Sequence, residues 1–164
     1  MEKASWKIVE AGAGHAPVMA TFWCALMKEE APPLLSVGDL DERRSEMAFA
    51  RMLSQKNHYR AYISLSENGP GRECPSGFVL GSVYDRLYGE PRKVGQILHW
   101  YVLPSFRGSG MGRSLYLSLL AWFQQENVEI LEVLARKEPA RTKAWTDRGF
   151  TGVVDLFMMK PPWR

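Results

Sequence analysis

The sequence has little of what defines several protein classes. It has only two cysteines in 164 residues, Cys24 and Cys74, which are too few for a disulfide-stapled fold. It has no CxxC or HxxxH spacing, so a metal site has no support. No run approaches the roughly 18 apolar residues needed to cross a bilayer, and no apolar segment near the N-terminus resembles a secretory signal. We therefore expect a cytoplasmic protein that holds no metal and does not associate with membranes.

The chain also lacks a strong charge of one sign. Its 21 Lys and Arg against 18 Asp and Glu give a net charge of +3, which is too small to indicate nucleic-acid binding but suits a small polyanion. Aromatic residues make up 12% of the chain, which excludes a disordered acidic protein. At roughly 150 residues per domain, the length predicts one domain, residues 1–164.

The spacing of apolar residues predicts a mixed α/β layer structure with the element order β-α-α-β-β-β-α-β-α-β. Helices are predicted over 15–30, from about Asp39 as N-cap through Leu53, over 110–126, and from Pro139 to Arg148 with Gly149 ending the last. Strands are predicted at 6–10, 59–65, 78–88, 94–103, 128–134 and 151–159, with a loop over 67–75. The continuous apolar run at 128–134 is typical of a strand buried on both sides.

A glycine-rich stretch lies between a predicted strand and a predicted helix. Glycines at 108, 110 and 112 allow the backbone to approach a ligand closely, and Arg107 and Arg113 add positive charge. The first turn of a helix has unpaired N–H groups and a dipole that favours anions. These features predict a cradle for a diphosphate.

Other readings of this stretch fit less well. A P-loop requires lysine after its last glycine, and a dinucleotide fingerprint counted from Gly108 requires glycine at 113; Arg113 meets neither requirement. The earlier Gly12-Ala13-Gly14 is typical of an ordinary loop, because Pro17 stands at its third glycine position. A simple left-handed turn before a helix remains the alternative.

The same residues resemble the GNAT superfamily of acyl-CoA-dependent N-acetyltransferases. The family motif Gln/Arg-x-x-Gly-x-Gly/Ala matches Arg107-Gly108-Ser109-Gly110-Met111-Gly112, and Tyr101-Val102-Leu103-Pro104 resembles the family's preceding strand end. Trp145-Thr146-Asp147-Arg148-Gly149-Phe150 resembles the Gly-Phe ending of the family core. The resemblance is strongest over 94–159, which it identifies as the acyl-CoA-binding core, and the order of elements in 1–93 is compatible with it.

The resemblance implies a fold and a cosubstrate. The fold is a single α/β domain with a mixed, mostly antiparallel central sheet of six to seven strands and four helices. Acetyl-CoA would lie with its pantetheine arm between two splayed parallel strands, 94–103 and 128–134, with one backbone N–H near the thioester oxygen. The implied cofactor-binding residues are Tyr101, Val102, Leu103, Arg107, Gly108, Ser109, Gly110, Met111, Gly112, Arg113 and Ser114.

The candidate catalytic residue is His99. A lysine-like amine needs roughly 4.6 kcal/mol to lose its proton at pH 7, so acetyl transfer calls for a base. Family members often carry Glu or His in the strand before the motif, and His99 is the only ionisable side chain in 96–100. The alternative is that His99 faces away from the site.

The sequence departs from the family at the acid. Trp145 stands where a tyrosine is common, and an indole N–H is not an acid at neutral pH. Glu138 replaces an asparagine that is often found there. The general acid that protonates the leaving thiolate is therefore not identified, and either solvent or another tyrosine would supply the proton.

Charged clusters bear on the partners. Five acidic side chains lie near the junction of the first two predicted helices: Glu29, Glu30, Asp39, Asp41 and Glu42. They would either attract a cationic amine to an acceptor pocket or be ordinary charged residues at helix ends. Five basic ones would meet the 3′-phosphate of CoA or form a solvated helix face: Arg136, Lys137, Arg141, Lys143 and Arg148. A homodimer is an open alternative, in which apolar residues near the C-terminus would pack against a second copy of the chain: Met158, Met159 and Trp163.

We therefore expect an N-acetyltransferase that moves the acetyl group of acetyl-CoA to a primary amine of a small molecule or peptide, by direct attack in a ternary complex. Two alternatives stay open. One is a catalytically silent CoA-binding or regulatory module, and the other is an acyltransferase that uses another acyl group or a hydroxyl acceptor.

Overall fold

A computed structural model describes residues 5–30, 40–67, 73–86, 92–133, 143 and 145–151. The strands are β1 (Trp6–Glu10), β2 (Tyr59–Glu67), β3 (Glu73–Asp85), β4 (Lys93–Val102) and β5 (Ile130–Val133). The helices are α1 (Ala16–Glu30), α2 (Glu42–Ser54) and α3 (Met111–Gln125). Short 3₁₀ turns precede α1 and α3, at Ala13–His15 and Pro104–Phe106. None of these helices is both long enough and apolar enough to span a bilayer.

The five strands form one sheet in the order β1-β2-β3-β4-β5. All neighbours pair antiparallel except β4 and β5, which pair parallel through a helical crossover. The prediction of a mixed, mostly antiparallel sheet is therefore confirmed. The parallel pair places the chain between β4 and β5, including α3, against one face of the sheet.

Helices cover both faces of the sheet. On one face α1 and α2 bury Met19, Phe22 and Phe49 against Ile63 and Phe78. On the other face α3 buries its predicted apolar stripe against β3 and β4, namely Leu115, Leu119, Trp122 and Phe123. Each Å² of apolar surface that is buried contributes about 25 cal/mol to the stability of the fold. Because both faces of the sheet are buried, the sheet is a rigid support for the residues at the ends of its strands.

The part of the chain that the structure describes has fewer elements than predicted. The described residues contain five strands and three α-helices, not six to seven strands and four helices. The last predicted strand, 151–159, lies almost wholly outside the described residues. The predicted fourth helix is described only near its end, where Asp147 N–H donates to Lys143 O at 2.9 Å. Gly149 follows at φ 88°, so it ends a helical turn as predicted.

Three local predictions are wrong. The N-cap of α2 is Asp41, whose carboxylate accepts the Arg44 N–H at 3.1 Å, whereas the predicted cap Asp39 lies outside the described residues. β3 begins within the predicted loop because a bulge at Ser76 of β3, opposite Ser64 and Leu65, accommodates Pro75, which has no N–H to donate. β5 is half-buried rather than buried on both sides, because it lies at the edge of the described sheet.

Candidate functional site

The site lies at the C-terminal end of β4, beyond its described pairing with β5. Among the described residues, the two strands pair from Val94–Ile130 to Ile97–Val133. At Leu98 a bulge interrupts the pairing of β4 with β3, since Leu80 faces His99 whereas Gly81 faces Ile97. Within the described part of the chain, the last residues of β4, 98–102, therefore have one edge without a neighbouring strand.

The open edge carries main-chain groups. Leu103 N–H donates to Ser76 O at 2.9 Å, towards β3. Because successive strand residues turn their N–H and C=O to opposite edges, the groups of Val102 point away from β3. The Val102 carbonyl indeed accepts a hydrogen bond at 3.0 Å from Arg107 Nε rather than from a strand. An extended ligand with amide groups can pair with such an edge.

The start of α3 presents unpaired backbone donors. Gly110 is the N-cap residue, with φ 97° and ψ −9°, a left-handed conformation that favours glycine. The Met111 N–H donates a hydrogen bond to Ser109 Oγ at 3.3 Å. Among the described residues, the N–H groups of Gly110, Gly112 and Arg113 have no acceptor. Three free donors at the positive end of a helix dipole form a site for an anion.

A cavity of about 250 Å³ lies beside these donors and is lined by Trp100, Val102, Arg107, Gly108 and Gly112. The Arg107 guanidinium lies over the Tyr101 ring, 5.5 Å from its centroid. The structure thus brings the predicted cofactor-binding residues 101–103 and 107–114 to one end of the sheet. The hydroxyls of Ser109 and Ser114 donate to backbone carbonyls of the same segment, Phe106 O at 2.6 Å and Gly110 O at 3.4 Å.

His99 lies on the face of β4 that α1 and α2 cover. Its ring packs against Trp23, with centroids 4.3 Å apart, and edge-on to Phe49 at 5.9 Å. Burial disfavours the charged imidazolium and lowers the pKa of His99 to about 4. At neutral pH this side chain is therefore an uncharged imidazole.

An aromatic cluster occupies the opposite face. Trp100 stacks on Tyr116 of α3 with centroids 5.6 Å apart, and Trp145 packs edge-on against both rings. Arg148 lies about 6 Å from the three ring centroids. Burial raises the pKa of the Tyr116 phenol, which keeps it protonated at neutral pH. Sequence reasoning did not single out Tyr116, because its helical spacing matches that of ordinary apolar residues.

The described members of the predicted charged clusters contact partners of their own. Asp41 caps α2, and Glu42 accepts the Thr21 hydroxyl. Glu29 instead reaches Arg107 and Tyr101, a partnership that sequence spacing could not reveal. Lys143 pairs with Asp147 at 2.7 Å. The other predicted members lie outside the described residues: the Glu30 side chain, Asp39, Arg136, Lys137, Glu138 and Arg141, as do the dimer candidates Met158, Met159 and Trp163. In the described ranges, no three His, Cys, Asp or Glu side chains are placed to hold a metal ion.

Comparisons with solved structures find the same fold. A GCN5-related N-acetyltransferase from Ralstonia eutropha superposes with a TM-score of 0.75 at 17% identity, over 98% of this chain and 100% of the other. An aminoglycoside acetyltransferase from an uncultured soil metagenomic sample, in complex with sisomicin, gives 0.67 at 16% identity, over 95% and 97%. A predicted acetyltransferase from Clostridium acetobutylicum, with acetyl-CoA, gives 0.73 at 15% identity, over 95% and 96%.

Sequence comparison identifies the family. A search of the curated proteins finds no match. The sequence profile of the Acetyltransferase (GNAT) family matches residues 22–150, which is well over half of the chain and includes the part of α1 from Phe22 onwards and the whole of β4 and α3. The chain therefore belongs to the GNAT acetyltransferase family.

Proposed function

We propose that this protein is an acetyl-CoA-dependent N-acetyltransferase that moves an acetyl group to a primary amine by direct attack in a ternary complex. Its single domain would span 1–164, with 94–159 as the acyl-CoA-binding core. The observation that carries the proposal is the set of free N–H groups at Gly110, Gly112 and Arg113, beside a cavity that Arg107 lines.

These residues fit acetyl-CoA, which when bound supplies an activated acetyl thioester. Backbone donors and the side chains of Arg107 and Arg113 would hold the diphosphate. The open edge of β4 would orient the pantetheine arm through its amides, and Tyr101 to Leu103 would lie along it. A fixed N–H at this edge would stabilise negative charge on the carbonyl oxygen, an effect worth roughly 2.7–4 kcal/mol in other acyl transfers.

The amine would approach from the face that carries His99, so that the two substrates meet across β4. With a pKa of about 4, the His99 imidazole is uncharged at pH 7 and offers a nitrogen lone pair to an amine N–H. So low a pKa makes it a poor store for the released proton, which would pass on to solvent. We propose His99 as the residue that orients the amine.

The acceptor is proposed as a small molecule bearing a primary amine. One solved structure with this fold is an aminoglycoside acetyltransferase in complex with sisomicin, which makes polyamine sugars a reasonable first panel. A peptide amine is the second class to test.

A second function, a catalytically silent CoA-binding module, is favoured by one observation. Trp145 offers no acid for the thiolate, and the tyrosine packed against it, Tyr116, lies 6.5 Å away between ring centroids. If Tyr116 does not protonate the leaving thiolate, solvent must do so. An acyltransferase with another acyl group or a hydroxyl acceptor is the third candidate.

An assay of the free thiol released from acetyl-CoA distinguishes these functions. We expect acetyl-CoA with aminoglycosides, polyamines and short peptides to release free thiol, and mass spectrometry to find a product heavier by one acetyl group. Turnover with propionyl-CoA alone or with alcohols would favour the third function. Tight CoA binding without turnover across the panel would contradict the enzymatic proposal.

A further inference from the structure

Four groups form a closed ring of contacts at the mouth of the site. The Glu29 carboxylate, in the last turn of α1, accepts two hydrogen bonds from Arg107 Nη2 at 3.0 and 2.7 Å. It also accepts one from the Tyr101 hydroxyl at 3.2 Å. Arg107 Nε in turn donates to the carbonyl of Val102, the neighbour of Tyr101. The ring therefore joins α1, the end of β4 and the glycine-rich loop.

The anchor of this ring is buried. Tyr101 is only 4% exposed and packs against Phe22 of α1, with ring centroids 5.6 Å apart. Glu29 and Arg107 are more exposed, at 37% and 48% of their side chains. An exposed ion pair by itself is worth little, so the contacts to Tyr101 and Val102 are what hold this pair in one geometry.

The ring uses only part of the guanidinium. Nε and Nη2 of Arg107 are engaged, whereas Nη1 makes no hydrogen bond within the described residues. Arg107 lines the cavity beside the free N–H groups, and Glu29 does not. Because a guanidinium carries donors on separate edges, one edge can be held by a carboxylate while another remains available to an anion.

We propose that Glu29 is a positioning residue for the cosubstrate: it holds Arg107 with its free nitrogen at the cradle, so that the diphosphate meets an ordered guanidinium. This inference rests on the proposed function. Its physical basis is that a rotamer-rich side chain immobilised beforehand does not lose that freedom when the ligand binds.

The test compares ligands with and without the diphosphate. Glu29→Ala is expected to raise the calorimetric Kd for CoA about 2- to 10-fold, the effect of immobilising one such side chain on binding. Glu29→Gln, which keeps an oxygen acceptor, should show a smaller rise. The kcat/KM for S-acetyl-pantetheine, which has no diphosphate, should change less than that for acetyl-CoA. Glu73→Ala, which removes an ion pair to Lys7 instead, is the matched control.

A double variant separates positioning from general destabilisation. In an Arg107→Ala background, Glu29→Ala should have no further effect on the Kd for CoA. Equal losses with acetyl-CoA and S-acetyl-pantetheine, an unchanged Kd, or tighter CoA binding after Glu29→Ala would each overturn the inference while leaving the proposed function intact. A wild-type protein that does not bind CoA would overturn both.

Discussion

Replacing Gly110 with aspartate is expected to abolish CoA binding, with a Kd at least about 100-fold higher than that of the wild type. The carboxylate would stand among the free N–H groups of Gly112 and Arg113, where it would accept their hydrogen bonds and repel a diphosphate. Each charge-assisted hydrogen bond contributes about 1.5–3 kcal/mol, and 1.4 kcal/mol is tenfold in affinity. Isothermal titration calorimetry with CoA measures the change.

Two controls separate charge from backbone strain. Gly110→Ala has the same strain at φ 97° but adds no charge, so it should lower stability by about 1–2 kcal/mol and weaken CoA binding less. Gly14→Asp adds the same charge at an exposed position with open space around it, so it should leave the Kd unchanged. CoA affinity unaltered by Gly110→Asp would show that the diphosphate binds elsewhere.

Acidification is expected to destabilise the wild-type protein through His99. The pKa of His99 is about 4 in the folded protein, against an ordinary value of about 6.5 in the unfolded chain. Between these values the unfolded chain binds the proton and the folded protein does not. The contribution of neutral His99 is therefore fully present above about pH 6.5 and is lost as the pH falls towards 4, a change of about 3 kcal/mol.

The free energy of urea unfolding, measured from pH 4 to 7, checks this expectation. His99→Gln should flatten the slope relative to the wild type, whereas His58→Gln, at an exposed position, should not. Identical slopes in all three proteins would contradict the burial of His99. Because the pKa of His99 is about 4, its titration should not affect the pH–rate profile above about pH 5. An apparent pKa near 6.5 in that profile that vanishes in His99→Gln would also contradict the burial of His99.

Much of the fold follows from local periodicity. The apolar stripe of α3 and the alternation in β2 predict both elements, because each period buries one face. The start of β3 could not be predicted, since Pro75 is accommodated by a bulge at the next residue of the same strand, Ser76, which has no partner opposite it in β2. The burial of β5 depends on which strands flank it, and the apolar composition of the segment carries no information on that.

The candidate site likewise has one part that the local sequence predicts and another that depends on contacts between distant residues. The glycine and arginine spacing of 107–113 predicts a diphosphate cradle, because its donors belong to one continuous segment. The pairing of Glu29 with Arg107 and the packing of Trp23 on His99 bring together residues that are far apart in the sequence. Their positions, and therefore the low pKa of His99, depend on how α1 crosses the end of β4.

The central claim is that the backbone amides at the start of α3 bind the diphosphate of CoA. A titration of ¹⁵N-labelled wild-type protein with CoA, followed by amide chemical shifts, tests it directly. The account predicts that the largest shifts fall on Gly108, Gly110, Gly112 and Arg113. Saturable CoA binding that leaves these four amides unmoved, or no shifts at all, would contradict it.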